Sequence, residues 1–297
     1  MRASDFVATY GKLGPDAWEA AALSIARQGG LTPWPWQELR LTDGQNTAVL
    51  QVMSDVLSIG PVEDHLRLPM LPNNAQGIFN LFGWLMPTPW LVYQTWRSAP
   101  HKLVPIPAVP NRGANMAQYV DHNAAINQTL IAAGGRPGDG RAVDGIKKSI
   151  VVSNIHKPGK VLIHGWYKPE PDVFDDGKSW QDPTRQPRQA KSNVHGDFYV
   201  DYSHGLRPVH PVAIVNGQPM PTVSLYQHPT LSALVSNEGP VRVPRYPSRV
   251  PVTPIATPVG EVAVTSWPGQ SGAHFVPSVP SVSDYALWDL YRRHGGH

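Results

Sequence analysis

The chain has 297 residues, 41% of them hydrophobic and only 16% charged, with 32 prolines and no cysteine. Typical soluble domains carry roughly 25% charged residues, so this balance points to loops and extended segments rather than long helices. The missing cysteine excludes disulfides, thiolate nucleophiles, Cys-ligated zinc and iron–sulfur clusters. A net charge of +3, with no run of five basic residues, argues against a nucleic-acid partner.

A sequence pI of 9.1 suits an anionic polymer such as a bacterial cell wall, and equally suits ordinary solubility. Ten Trp and ten Tyr are core material first and stacking platforms for sugars second.

Residues 1–14 lack the apolar stretch of a signal peptide. The most apolar window, 77–93, is broken by Asn80, Pro87 and Pro89, so no membrane span is expected. The chain reads as soluble, either cytoplasmic or carried in a larger assembly. Residues 4–28 read as helical, with Ser4 as a cap, an interruption at Gly14-Pro15, and Gly29-Gly30 as the stop. Residues 39–59 favour strands around an Asp43-Gly44 hairpin turn. Helices are predicted at 73–82, at 88–98 with Thr88 capping and Pro89 in the first turn, and at 116–133. Residues 101–110 read as extended, and 134–140 as a loop. Strands are predicted at 149–153, 161–166, 198–203 and 209–215, with Asn216-Gly217 as a turn.

From 240 to 282 a proline falls every few residues, and Ser283 then caps a short amphipathic helix to Arg293. The expected fold is α+β. A helical N-terminal part packs on a mostly antiparallel β core over residues 1–239, a joint near 134–140 being the alternative. A Pro-rich extended arm and a short terminal helix complete it over 240–297.

The stretch from His195 to Gly205, HGDFYVDYSHG, is the candidate site. Read as a strand, it places His195, Asp197, Tyr199, Asp201 and Ser203 on one face, with Phe198, Val200, Tyr202 and His204 on the other. Asp is depleted in strands, so two of them on one polar face call for a reason beyond a wet surface. Acid/base chemistry is the reason this pattern favours. A divalent metal held by His195, Asp197, Asp201 and His204, with His164 or His210, is the lesser alternative, because no zinc-peptidase spacing fits. No cofactor is otherwise implied. Ser203 and His204 are adjacent and point to opposite faces of a strand, so they do not form a nucleophile–base couple.

Ile163-His164-Gly165, taken with Ser203-His204-Gly205-Leu206-Arg207, resembles the His-Gly and Ser-His-Gly-Cys-x-Arg signature of L,D-transpeptidases. Leu206 stands where that family has its nucleophilic Cys, which excludes thioester chemistry here. Residues 52–60, 68–70, 85–96, 197–209 and 236–240 resemble a broad family of uncharacterised, often exported bacterial proteins with a DYSHG-R motif. That resemblance spans roughly 30–240 and implies one structural unit but no reaction. A Gly-His-Lys-Lys-Asp segment of that family falls on Gly145-Ile146-Lys147-Lys148-Ser149, so a catalytic role for that His and Asp would be lost in this chain.

The expected function is a hydrolase or lyase acting on a bacterial cell-wall polymer, peptidoglycan or a related polysaccharide. Asp201 or Asp197 serves as base, and His195 or His164 as its acid partner, with His204 beside them. Tyr199, Ser203, Arg207 and Trp166 position substrate. The alternative is a virion or surface component in which 240–297 clasps a neighbouring subunit or an assembly partner.

Overall fold

The computed structural model describes residues 1–107, 115–169 and 187–253, together with the backbone of two short strands beyond them. It is a mixed α+β protein whose sheets are mostly antiparallel. The N-terminal helical stretch divides at Gly14-Pro15 into α1 (Ala3–Tyr10) and α2 (Pro15–Arg27), with Pro15 pre-set for the first turn of α2. Ser4 lies inside α1 rather than capping it. Its amide and hydroxyl both donate to Asp64, at 3.2 and 2.6 Å. The α2 helix buries Trp18, Ala22, Ile25 and Ala26, one face at helical spacing, and closes at Gly29 with φ +74°.

Strands β1 (Trp36–Thr42) and β2 (Thr47–Met53) form the expected hairpin. The Asp43 carboxylate closes its turn by accepting from the amides of Gln45 and Asn46 at 2.9 and 2.7 Å. A small ladder of β3 (Ser58–Ile59) and β4 (Leu66–Arg67) leads to α3 (Pro72–Leu81) and α4 (Pro89–Ser98). Thr88 caps α4 by accepting from the Leu91 amide at 3.1 Å. Strand β5 (His101–Lys102) runs parallel to β6 (Val143–Asp144), with α5 (Met116–Ala132) between them in sequence.

The site is built on a second four-stranded sheet. It comprises β7 (Lys148–Ile150), β8 (Ile163–Gly165), β9 (Gln189–Ser192) and β10 (His204–Gly205), in the order β10-β7-β8-β9. Strands β11 (Val212–Val215) and β12 (Gln218–Pro221) complete the first sheet in the order β1-β2-β11-β12. The turn between them takes Asn216 and Gly217 to φ +50° and +79°, both left-handed, as a tight hairpin demands. The helix α6 (Thr222–Gln227) follows, and β13 (Ile255–Thr257) pairs with β14 (Gly260–Val262).

A single hydrophobic cluster joins Trp18 and Phe79 from the helices to Leu50, Ile150, Val209 and Tyr226. Each such side chain contributes about 1.5–3 kcal/mol when fully buried.

The predicted strand at 198–203 does not form. Residues 197–198 and 202–203 are turns, and the strand begins only at His204. The cause is local. The Asp201 carboxylate accepts from the Ser203 amide at 2.8 Å and so offers the backbone a turn in place of a ladder. Ladder bonding resumes where the Lys148 amide donates to the Ser203 carbonyl at 2.7 Å.

The described start of the Pro-rich segment, 240–253, packs back on its own chain. The Tyr246 hydroxyl accepts from the Leu162 amide and donates to the Val151 carbonyl, both at 3.0 Å. Buried Arg245 donates to Asn80 and to the Trp84 carbonyl. The expected clasping arm beyond it and the terminal helix at 283–293 lie outside the described residues. Among those described, no helix is long and apolar enough to cross a membrane.

Candidate active site

Two structural facts position the site: the turn at 201–203 and the register of the second sheet. Lys148 of β7 sits between His204 of β10 and Gly165 of β8, while Ser149 sits beside Gly205 and His164. Pleating therefore puts His204 and Lys148 on one face and His164 on the other.

On the first face, Asp201 and His204 meet. The His204 Nε2 lies 4.0 Å from Asp201 Oδ1, just beyond hydrogen-bond length. Asp201 is further held by the Ser203 hydroxyl at 2.5 Å and the Tyr199 hydroxyl at 3.2 Å. Burial alone would raise its carboxyl, but His204, the Ser203 hydroxyl and Lys148 outweigh burial and hold it at about 2. Burial pushes the His204 imidazole down, against the pull of Asp201, to about 4.

Near neutral pH the pair is thus a carboxylate and a neutral ring. His204 is only 1% exposed, and neither ring nitrogen has a hydrogen-bond partner among the described residues. A neutral imidazole carries one donor and one acceptor, and leaving both unmet in the interior is costly. The Tyr119 hydroxyl, buried on α5, also lacks a partner among the described residues. Burial raises its ionisation well above the usual range, with the charges of Glu19 and Asp201 adding to the effect.

Above the pair, the Tyr199 ring meets His204 edge-on at 5.8 Å, and His195 stacks on Tyr199 at 4.0 Å. His195 and Phe198 are exposed, Phe198 at 82%.

Beneath the turn lies a second buried group, which no local motif marks. Lys147 is buried, and its ammonium donates to the Tyr202 carbonyl and to Nδ1 of His122 at 2.9 Å. Nε2 of His122 faces the Ile106 carbonyl at 3.0 Å, so Nε2 carries the proton and the ring is neutral. Burial, and then Lys147, push His122 down to about 3; burial, and then Arg67, push Lys147 down to about 7.

Gly205 makes room for this lysine. A Cβ there would stand 2.6 Å from the Cβ of Lys147 and 3.1 Å from Val56. Arg67 in turn forks onto Asp55 and donates to Asn123 and Asn127. A signal for these residues existed: Tyr119, His122, Ile126 and Leu130 recur at helical spacing on the buried face of α5. A Lys flanked by Ile146 and the apolar run 150–152 was the other.

The remaining sequence-predicted residues divide. His164 is fully buried on the opposite face, its Nε2 2.8 Å from the Tyr167 hydroxyl, and burial pushes it down to about 3. It does not join Asp201. Asp197 is drawn away by Asn73 of α3, whose amide donates to it at 3.0 Å. Arg207 turns inward and donates to the carbonyls of Met53 in β2 and Val143 in β6, at 2.6 and 2.7 Å, so its guanidinium ties these two strands together. Trp166 comes to the site's edge in a left-handed conformation, φ +59°, directly after Gly165 at φ +106°. A non-glycine residue held there costs roughly 1–3 kcal/mol. Among the described residues, no three His, Asp or Glu side chains gather as a metal set, so the grouping of His195, Asp197, Asp201 and His204 around an ion is not formed.

The molecule is thus a mixed α+β protein carrying a half-buried carboxylate beside a buried imidazole, under an aromatic cap. Comparison with protein-family models, with curated proteins and with solved structures finds no match, so the chemistry is read from this geometry alone.

Proposed function

We propose that Asp201 and His204 form an acid/base pair that cleaves a polysaccharide of the bacterial cell-wall type, by hydrolysis or elimination. The observation that carries the reading is His204: buried, neutral, both ring nitrogens unmet, with an ionised carboxylate 4.0 Å away. A neutral imidazole takes a proton from the attacking water or from a sugar carbon, the adjacent carboxylate stabilises the imidazolium that results, and as the glycosidic C–O bond breaks that imidazolium returns the proton to the departing oxygen. The Ser203 hydroxyl is committed to Asp201, so it steadies the carboxylate and is not the nucleophile. Tyr199 and His195, on the turn-rich loop, must swing aside for a polymer to reach the ring. Their stacked faces and the exposed Phe198 suit sugar rings. A net charge of +3 suits an anionic polymer.

The test is the intact chain on purified peptidoglycan sacculi and on acidic polysaccharides, following reducing ends for hydrolysis and ultraviolet absorbance of unsaturated sugars for elimination. His204→Gln and Asp201→Asn should each lose about 10²–10⁴-fold in turnover while retaining the wild-type circular dichroism. Unchanged turnover in either folded variant, or a wild-type chain that releases nothing, rejects the assignment.

A further inference from the structure

The two most exposed large apolar residues among those described, Phe198 at 82% and Val194 at 74%, sit on one loop, 194–198. A third, Ile155, stands exposed on the neighbouring loop at 154–160. Single exposed apolar side chains are ordinary, but these three are held together. The Asn193 side chain donates to the Ile155 carbonyl at 3.0 Å and accepts from the Lys157 amide at 3.2 Å. Farther along, the Val161 amide donates to the His195 carbonyl at 3.2 Å, and the Asp197 amide to the Gly159 carbonyl at 3.1 Å. The two loops thus form one shelf that carries all three apolar side chains.

Cations rim this shelf. Lys157, Lys160 and Arg242 make no ion pair among the described residues. The Lys160 ammonium donates to the Val194 carbonyl at 3.1 Å, and the Arg242 guanidinium to the Asn154 carbonyl at 3.0 Å. Both acceptors are neutral, so the positive charges are not cancelled. The carboxylates alongside are Asp197, which accepts from Asn73, and Glu238, which Lys191 matches at 2.7 Å. The balance of the shelf is positive.

We propose that this shelf docks peripherally on an anionic lipid bilayer. Phe198, Val194 and Ile155 enter the interface, while Lys157, Lys160 and Arg242 meet the lipid phosphates. Protruding apolar side chains ringed by cations match an apolar phase bounded by negative charge, which a bilayer supplies. A soluble polyanion offers the charge without the apolar phase. A protein partner needs about 800 Å² of matched surface on each side, more than three side chains on two loops present. The docking needs no spanning helix and does not depend on the chemistry of Asp201 and His204.

The experiment is co-sedimentation of the intact chain with vesicles of phosphatidylcholine alone, and of phosphatidylcholine mixed with phosphatidylglycerol. The wild type should bind the anionic vesicles about tenfold or more tightly than the neutral ones. Lys157→Gln, Lys160→Gln and Arg242→Gln should each weaken that binding about fivefold, the scale of one basic residue at a charged surface. Val194→Ser and Phe198→Ser, both at exposed positions and checked by circular dichroism, should each weaken it about fivefold or more. Equal binding to the two kinds of vesicle, or binding to neither, overturns the proposal. Wild-type affinity in both serine variants shows that no apolar side chain enters the interface, and also overturns it. Soluble polyglutamate that strips the chain from vesicles at matched charge assigns the shelf to polyanions in general and rejects the bilayer.

Discussion

Replacing Lys147 with Met keeps the volume of a buried stem and removes its charge, and two opposing effects follow. The Tyr202 carbonyl and His122 Nδ1 lose their donor. Each unmet buried acceptor costs about 1–3 kcal/mol at every pH. Against this, burial holds the Lys147 ammonium at about 7 in place of its ordinary 10.5. A depressed lysine contributes stability that is fully present above the unfolded value and lost as pH falls through the folded one, so the window runs from 10.5 down to about 7. With about 1.4 kcal/mol for each tenfold change in proton affinity, the ammonium penalises the wild type by roughly 4 kcal/mol at pH 7 and roughly 1 kcal/mol at pH 9.5. The difference in unfolding free energy, wild type minus Lys147→Met, should therefore rise by about 2–4 kcal/mol between those pH values. Urea unfolding of both proteins at several pH values measures it, and titrating groups not coupled to Lys147 cancel in the difference. A difference independent of pH would refute the claim that a buried lysine holds the 201–203 turn.

Two further outcomes test the packing around the site. Glu19 is buried between α2 and α3 and accepts from the Leu71 amide and the Asn74 side chain; burial, only partly offset by these bonds, raises its carboxyl to about 7. Its contribution is fully present below 4.5 and lost as pH rises through about 7. Glu19→Gln should therefore gain about 2–3 kcal/mol on the wild type between pH 5 and pH 8, read from the shift in urea midpoint; a parallel pH dependence of the two proteins contradicts this. Gly205→Ala puts a methyl 2.6 Å from the Cβ of Lys147, with no flexible side-chain end to yield, and should cost about 1–3 kcal/mol in thermal or urea unfolding. Wild-type stability in that variant would show that the close approach is not real.

The elements with strong periodicity were legible from the chain alone. The helical face of Trp18, Ala22 and Ile25, the Thr88-Pro89 start of α4, and the Asp43-Gly44 and Asn216-Gly217 turns all form where local chemistry puts them. These signals are local, since caps, turns and amphipathic spacing act within a few residues. The segment 198–203 departs from its alternation pattern for the complementary reason. Alternation favours a strand there, but a single carboxylate bonded two residues onward favours a turn, and turn chemistry wins where no partner strand lies alongside.

Composition by itself removed thiol chemistry, and the motif singled out Asp201 but set His204 on the opposite face of an expected strand, with His195 or His164 as the acid partner. The tertiary structure alone decided how they combine. Sheet register separates His164 from His204, Asn73 draws Asp197 off, and burial turns Arg207 inward. It also brings Lys147, His122 and Tyr119 beneath or beside the pair from segments far apart in the chain. Faces, burial and long-range charge are properties of packed elements, and no window of neighbouring residues encodes them.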